Sequence, residues 1–194
     1  MINRIHSTID GLLRAEDGFP ADSLAIAFCP PTAAWLERSG PRAINFYLLG
    51  LRENSELRRA DMPTLRGPGQ ASRRVPPRMF DLRYLVSAYD KEEPANEYAL
   101  LWATLIALLR HDPLPAERLP APLQALGLPI AARIVADEPV GELWSLLGQL
   151  PRPAISYSVT VPAEITRPQR WGLVAEPTVR VAPLGEEDPA LRSG

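Results

Sequence analysis

Apolar and polar residues alternate in two segments of the chain, and a period of two predicts β-strands. In residues 78–89 Phe80, Leu82, Tyr84, Val86 and Ala88 fall on one parity, and the polar residues Asp81, Arg83 and Ser87 fall on the other. In residues 154–161 serine and threonine separate Ile155, Tyr157, Val159 and Val161. The second pattern is typical of an antiparallel strand with one face in solvent.

Weaker patterns predict three further strands. Residues 43–52 alternate before turning polar, and we expect them to pair antiparallel with residues 78–89. The segment LAIAF at 24–28 is apolar on both parities, which predicts a short buried strand, and LPIAARIV at 128–135 is a further candidate. Residues 53–78 are polar with several Pro and Gly, which predicts a long exposed connection.

Helical spacing marks three other segments. Residues 1–16 predict an amphipathic helix, since their apolar positions are three and four apart: Ile2, Ile5, Ile9, Leu12 and Leu13. Residues 96–110 are apolar nearly all round, Trp102 included, which predicts the central core helix. Asp137 is a candidate cap for a third helix, with a buried face made of Leu143, Trp144, Leu146 and Leu147.

These elements predict an α/β chain of the α+β type. We expect a mainly antiparallel sheet of four to five strands packed against helices. Residues 1–165 form the predicted main domain, and residues 166–194 form an extended C-terminal arm with an acidic end. A short β-prone segment, Thr178 to Ala182, lies within that arm between two prolines.

Composition narrows the class of protein. The net charge of the 194-residue chain is −2 and its charges are interspersed, so no basic stripe for nucleic acid is present. Cys29 is the only cysteine, which excludes an internal disulfide and a multi-cysteine metal site. The N-terminus lacks the pattern of a signal peptide and the longest apolar run is too short to span a bilayer, so we expect assembly in the cytoplasm without membrane contact.

Reactive side chains do not converge in the sequence. His6 and His111 have no second His or Cys at ligand spacing, and His111 suits the negative end of its helix. No phosphate-binding loop, dinucleotide fingerprint or nucleophile elbow is present. The sequence therefore predicts a protein that is not an enzyme, with no catalytic residue, cofactor or metal site.

Three blocks, in this order, resemble one known family: PRAINFYLLGLRENSELRR, RRVPPRMFDLRYLVSAYDKEEPANEYALLWATLIALLRHDPLP and ELWSLLGQLPRPAISYSVTVP. They are similar to the sheath-cap or tail-terminator proteins of contractile injection systems of the antifeeding-prophage type, which look like phage tails without heads. The resemblance covers roughly residues 2–165. The chain departs from the family pattern at Ser87 and Tyr89, where Thr and Trp are expected, and in its tail.

The resemblance implies a tail-terminator-like fold and a structural role. A homohexameric ring would end the contractile sheath and inner tube at the end distal to the baseplate. Its partners would be further copies of the chain, sheath subunits, and the inner tube or a tube-cap protein. The C-terminal arm would complete the exchange of strands between sheath subunits, because an unpaired strand edge templates further growth.

Two sets of residues are candidates for these contacts. The first is a predicted subunit interface, consisting of charged residues that follow or flank the core strands: Arg52, Glu56, Arg58, Arg59, Asp81 and Arg83. The second is a predicted sheath-binding strand: Thr178, Val179, Arg180, Val181 and Ala182.

Two other readings stay open at this point. One is a monomeric α/β module that binds a small ligand or a peptide without catalysis. The other is an enzyme that uses two carboxylates held close together, drawn from Asp81, Asp90, Glu92 and Glu93. A solvated charged turn is the plain alternative for the residues that follow the strand at 43–52.

Overall fold

The computed structural model describes most of the chain: residues 1–20, 24–57, 64–67, 70–73, 76–136, 141–164 and 169–172. The chain divides into two units. One comprises Met1–Arg59 and Pro77–Ile165, and the other comprises Ala60–Pro76 and Thr166–Gly194. The proposed division into a cap domain over 1–165 and an arm over 166–194 stays a prediction.

Five strands of the first unit form one sheet in the order β1-β2-β5-β7-β6. The strands are β1 (Ala25–Ala27), β2 (Arg42–Glu53), β5 (Arg78–Asp90), β6 (Ala132–Ile134) and β7 (Ile155–Ala163). Only β1 and β2 run parallel, so the predicted α+β fold with a mainly antiparallel sheet is confirmed. The expected antiparallel pairing of residues 43–52 with 78–89 is confirmed as the β2–β5 pair.

Helices cover both faces of this sheet. They are α1 (Ile2–Arg14), α2 (Ala33–Arg38), α3 (Asn96–Leu109), α4 (Ala121–Gln124) and α5 (Gly141–Leu146), with short 3-10 helices at Ser55–Leu57 and Ala116–Arg118. On one face, α1 and α3 pack against the alternating apolar residues of the strands. This face is the main core and includes Ile5, Ile9, Phe46, Tyr84 and Val159. Each such side chain contributes roughly 1.5–3 kcal/mol when it leaves water.

The opposite face is also buried, which the serine and threonine pattern did not predict. The ring of Tyr89 on β5 meets Trp35 of α2 at 5.3 Å between centroids, and Trp144 of α5 is buried outside the main core. Residues 155–162 are buried on both parities, so the expectation of a half-solvated strand is wrong. The polar side chains Ser156, Ser158 and Thr160 on this face are less than 10% exposed.

Strand β1 and helix α3 are both more exposed than the sequence predicts. Residues 25–27 are exposed or partly exposed, because β1 is a short edge strand with one neighbour. In α3 only Leu100, Thr104, Ala107 and Leu108 are buried, so the predicted core helix packs against the main core on one side only. Trp102, expected in the core, is 65% exposed.

Helix α5 likewise buries less than its sequence suggested. Trp144 is buried as expected, but Leu146 is 85% exposed, which contradicts its assignment to the buried face. The six-residue helix ends at Leu146, so its last turn extends past the surface that it covers. Asp137, the candidate cap, lies outside the described residues.

The second unit contains a three-stranded antiparallel sheet in the order β3-β4-β8. Its strands are β3 (Thr64–Gly67), β4 (Gln70–Arg73) and β8 (Gln169–Gly172). The predicted loop over 53–78 therefore holds two strands, paired from Thr64 with Arg73 to Gly67 with Gln70. Their polar, glycine-containing sequence gave no apolar alternation by which to recognise them.

Candidate functional site

Of the predicted contact residues, Arg52 lies near the end of β2 and Glu56 lies in the 3-10 helix at Ser55–Leu57 that follows it, and both are exposed. A bulge between Leu48 and Gly50 shifts the register, so Arg52 stands directly opposite Asp81 on β5. Leu51 and Leu57 are also exposed, at 58% and 48%. We call these four residues, Leu51, Arg52, Glu56 and Leu57, the β2-end patch. Arg58 and Arg59, predicted for the same contact, lie outside the described residues.

Asp81 is held by groups of its own chain. Its Oδ1 accepts a hydrogen bond from the Thr160 hydroxyl at 2.7 Å, and its Oδ2 accepts one from the Asn54 amide at 3.2 Å. The carboxylate therefore joins the end of β2 to β5 and β7. Arg83, two residues along β5, is partly buried and pairs in register with Ser158. Both residues stay predictions for the subunit interface, since no partner chain is present.

Asp90 organises the turn between β5 and α3. Its carboxylate accepts hydrogen bonds from the backbone amides of Glu93 and Glu92, at 2.9 and 3.0 Å, and from the side chains of Asn96 and Arg42. The Glu93 amide contributes most to holding the pKa of the Asp90 carboxyl below its usual value. These bonds explain why a buried carboxylate stays ionised, and they fix where α3 begins.

A second cluster links the first turn of α3 to the segment before β7. Arg152 Nη1 donates to the Glu97 carboxylate at 3.0 Å, and its guanidinium lies 4.3 Å from the centroid of the Tyr89 ring. Burial raises the pKa of the Tyr89 hydroxyl, which accepts from Ser87. Arg152 thus contacts both a carboxylate and the face of an aromatic ring, and both contacts stabilise the folded chain.

Glu16, after α1, binds the end of α3. Its carboxylate accepts from Arg110 and lies 3.2 Å from Nε2 of His111. The hydrogen bond from Arg110 is the main reason that the pKa of Glu16 lies below its usual value. His111 thus lies beside a carboxylate just past the C-terminal end of α3, the position where its sequence placed it.

His6 and Cys29 are partly buried, and their surroundings do not make them reactive. The His6 ring stacks on Phe28 with 4.3 Å between centroids, and its Nε2 lies 3.1 Å from the Tyr84 hydroxyl. Burial lowers the pKa of His6, so its neutral form is favoured. Burial also raises the pKa of the Cys29 thiol, which accepts from the Asn45 amide at 3.8 Å. A raised thiol pKa disfavours the nucleophilic thiolate.

The described surface offers open grooves with little convergent chemistry. A groove of about 450 Å³ separates α1 from the 3-10 helix at Ala116–Arg118, with Arg4 and Arg118 on its sides. Another, of about 580 Å³, lies between α2 and the residues after α5. Among the residues described, no group of three or more His, Cys, Asp or Glu side chains is arranged to hold a metal ion.

The outer face of α3 is apolar and exposed. Tyr98, Trp102 and Leu109 are 64%, 65% and 54% exposed. At spacings of four and seven they lie along one side of the helix, away from the buried residues. We call these three residues the α3 stripe. The sequence from Tyr98 to Leu109 contains no charged residue to interrupt it.

A family model for the Pvc16 N-terminal domain matches residues 4–172, which is most of the chain. The chain belongs to the Pvc16 N-terminal domain family. The resemblance stated from the sequence is confirmed at the level of the family. A comparison with curated proteins finds no match.

Two solved structures have the same fold as this family member. One is the sheath/tube terminator, in the extended state, of an extracellular contractile injection system called PVC, with a TM-score of 0.64 and 23% identity over 98% of this chain. The other is the tube-terminating cap of the anti-feeding prophage, with a TM-score of 0.67 and 20% identity over 93% of this chain. The chain spans 65% and 61% of those two proteins, less than two thirds of each.

The α3 stripe is the feature that sequence reasoning missed in this family member. A helix that is apolar all round is normally enclosed, and that rule assigned Trp102 to the core. The number of predicted strands could have indicated this exposure, because a helix that lies on a five-stranded sheet turns only one side toward it. Thr178–Ala182, predicted to bind sheath, lie outside the described residues, and no described helix is long and apolar enough to cross a membrane.

Proposed function

We propose that the chain is a structural cap, or terminator, of a contractile injection system. The observation that carries this proposal is the family match over residues 4–172. The fold likeness to a sheath/tube terminator and to a tube-terminating cap supports it. The fold suits a structural role because the central strands of the sheet are covered on both faces, which gives a rigid body that identical copies can share.

The ionisable groups support the same role. Asp81, Asp90 and Glu97 each bind side chains or amides of their own chain. A catalytic pair of carboxylates needs two such groups facing one reacting centre with separated pKa values, and these three are engaged with structural partners instead. The geometry therefore favours a protein that works by assembling.

In finer detail, the cap is a ring of identical subunits that ends sheath and tube at the end distal to the baseplate. Arg52, Glu56, Arg58 and Arg59 belong to the contact between neighbouring subunits. The segment Thr178–Ala182 adds a strand to a sheath subunit and so fills its last open edge. Ring subunits assemble in the cytoplasm, where sheath and tube subunits are also made.

The test is to express the chain together with the sheath and tube proteins of its own system. Particles made with the cap should be of uniform length and carry the chain at one end in electron micrographs. Without it, lengths should spread widely, because nothing closes the growing end. A chain shortened after Gly172 keeps every described strand and should form rings that no longer hold the sheath.

Two results would contradict the proposal. Particles of the same length and stability with and without the chain would exclude a terminator role. A chain that stays monomeric in native mass measurements, and does not co-purify with sheath or tube protein, would favour the ligand-binding module instead.

A further inference from the structure

A small cavity lies in the main core, where α1 and the end of α3 meet the sheet. A space that admits one water molecule has a volume of about 10–15 Å³. In this cavity the centre of a water molecule alone has about 10 Å³ in which to move, so one water fits. Apolar side chains form most of the wall, and each is less than 10% exposed: Ile9, Leu12, Leu13, Leu108 and Leu114. The wall also includes two residues with polar atoms, Tyr157 and His111.

Tyr157 of β7 is 1% exposed, and its hydroxyl has no hydrogen-bond partner among the described residues. Burial, and then the nearby Asp112 carboxylate, raise the pKa of this hydroxyl. Asp112 adjoins His111 in the chain, so the hydroxyl end of Tyr157 lies near the cavity. A buried hydroxyl without a partner costs free energy, and such groups in native proteins usually bind other protein atoms or ordered water.

The neighbouring tyrosine, Tyr84 of β5, is equally buried but has a protein partner. Tyr84 pairs in register with Tyr157 and is also 1% exposed. Its hydroxyl lies 3.1 Å from Nε2 of His6. Two tyrosines on adjacent strands therefore have the same burial, and within the described part of the chain only the Tyr84 hydroxyl has a partner.

His111 supplies the second polar group at the cavity. Its Nε2 lies 3.2 Å from the Glu16 carboxylate, so Nδ1 is the ring nitrogen left for another partner. The His111 side chain is 21% exposed, which gives water a way into the cavity from the surface. A bound water needs at least two polar partners, and Tyr157 and His111 provide that number.

We propose that one water molecule is bound in this cavity, between the Tyr157 hydroxyl and the His111 ring. The water joins β7 to the end of α3 and, through His111, to Glu16 after α1. It therefore helps to hold both helices on the sheet. The inference concerns the fold of one chain and does not depend on the proposed cap role.

The test compares Tyr157→Phe with Tyr84→Phe, two variants that each lose one buried hydroxyl. Oxygen-17 relaxation dispersion of the solvent counts the water molecules that stay bound longer than the protein takes to tumble. Tyr157→Phe should lose one such water relative to the original chain, because a single remaining partner does not hold it. Tyr84→Phe is the matched control and should keep this water, since the Tyr84 hydroxyl bonds to His6.

NMR titration of the histidines is a second measurement, and the chain has two of them. Tyr157→Phe should shift the pKa of His111 by roughly 0.3 or more, a twofold change in proton affinity, and leave His6 unchanged. Tyr84→Phe should do the reverse, because it removes the hydroxyl beside His6.

Urea unfolding distinguishes a bound water from a dry cavity. In a dry cavity Tyr157→Phe would remove an unpaired hydroxyl and raise the urea midpoint. With water bound, the midpoint should stay the same or fall. A raised midpoint, an unchanged number of long-lived waters, or an unchanged titration of His111 would each overturn the inference.

Discussion

At the scale of single residues, polar groups of the sheet hold neighbouring strands together. The contribution of the Thr160–Asp81 hydrogen bond can be measured by a single substitution. Thr160→Val keeps the shape of the side chain but removes the hydroxyl that donates to the carboxylate at 2.7 Å. We expect a loss of about 1.5–3 kcal/mol in the free energy of unfolding, as for hydrogen bonds to charged groups. Thr160→Ser keeps the hydroxyl and should lose less than about 1 kcal/mol, one methyl group. Equal losses in the two variants, in urea titrations, would show that the bond contributes nothing.

Also at this scale, His6 makes stability depend on pH. Its pKa in the folded chain lies below the ordinary 6.5 because burial disfavours the charged ring. The unfolded chain therefore binds a proton more readily, and the free energy of unfolding should fall as pH drops below about 6.5. In His6→Phe this fall should be smaller between pH 7.5 and 5.5, while His111 is present in both proteins and cancels. An unchanged pH dependence in the variant would mean that His6 protonates equally well in both states.

At the scale of elements, the long strands and α1 were predictable from the sequence, whereas the burial or exposure of their individual faces was not. Strands β5 and β7 have a period of two, and α1 has apolar residues three and four apart, so local pattern identified them. Whether Ser156 and Ser158 meet solvent depends on elements distant in sequence, and so does the exposure of Trp102. Strands β3 and β4 lack apolar alternation altogether. The exposure of Arg52 and Glu56 follows from their charge, whereas finding the α3 stripe requires knowing which side of the helix faces the sheet.

At the scale of the whole molecule, the charges of the β2-end patch should change the rate and the salt dependence of assembly but supply little of its free energy. Arg52 and Glu56 are exposed, so any ion pair across the subunit contact is worth less than about 1 kcal/mol and is screened by salt. We expect Arg52→Glu to slow ring formation and to change how the dissociation constant responds to salt. Glu117→Lys, an exposed charge change beside α4, is the control. Light scattering during assembly, at low and at high salt, would measure both effects. If Arg52→Glu formed rings with the original rate and salt response, Arg52 would lie outside the contact and would be a solvated charge at the end of a strand.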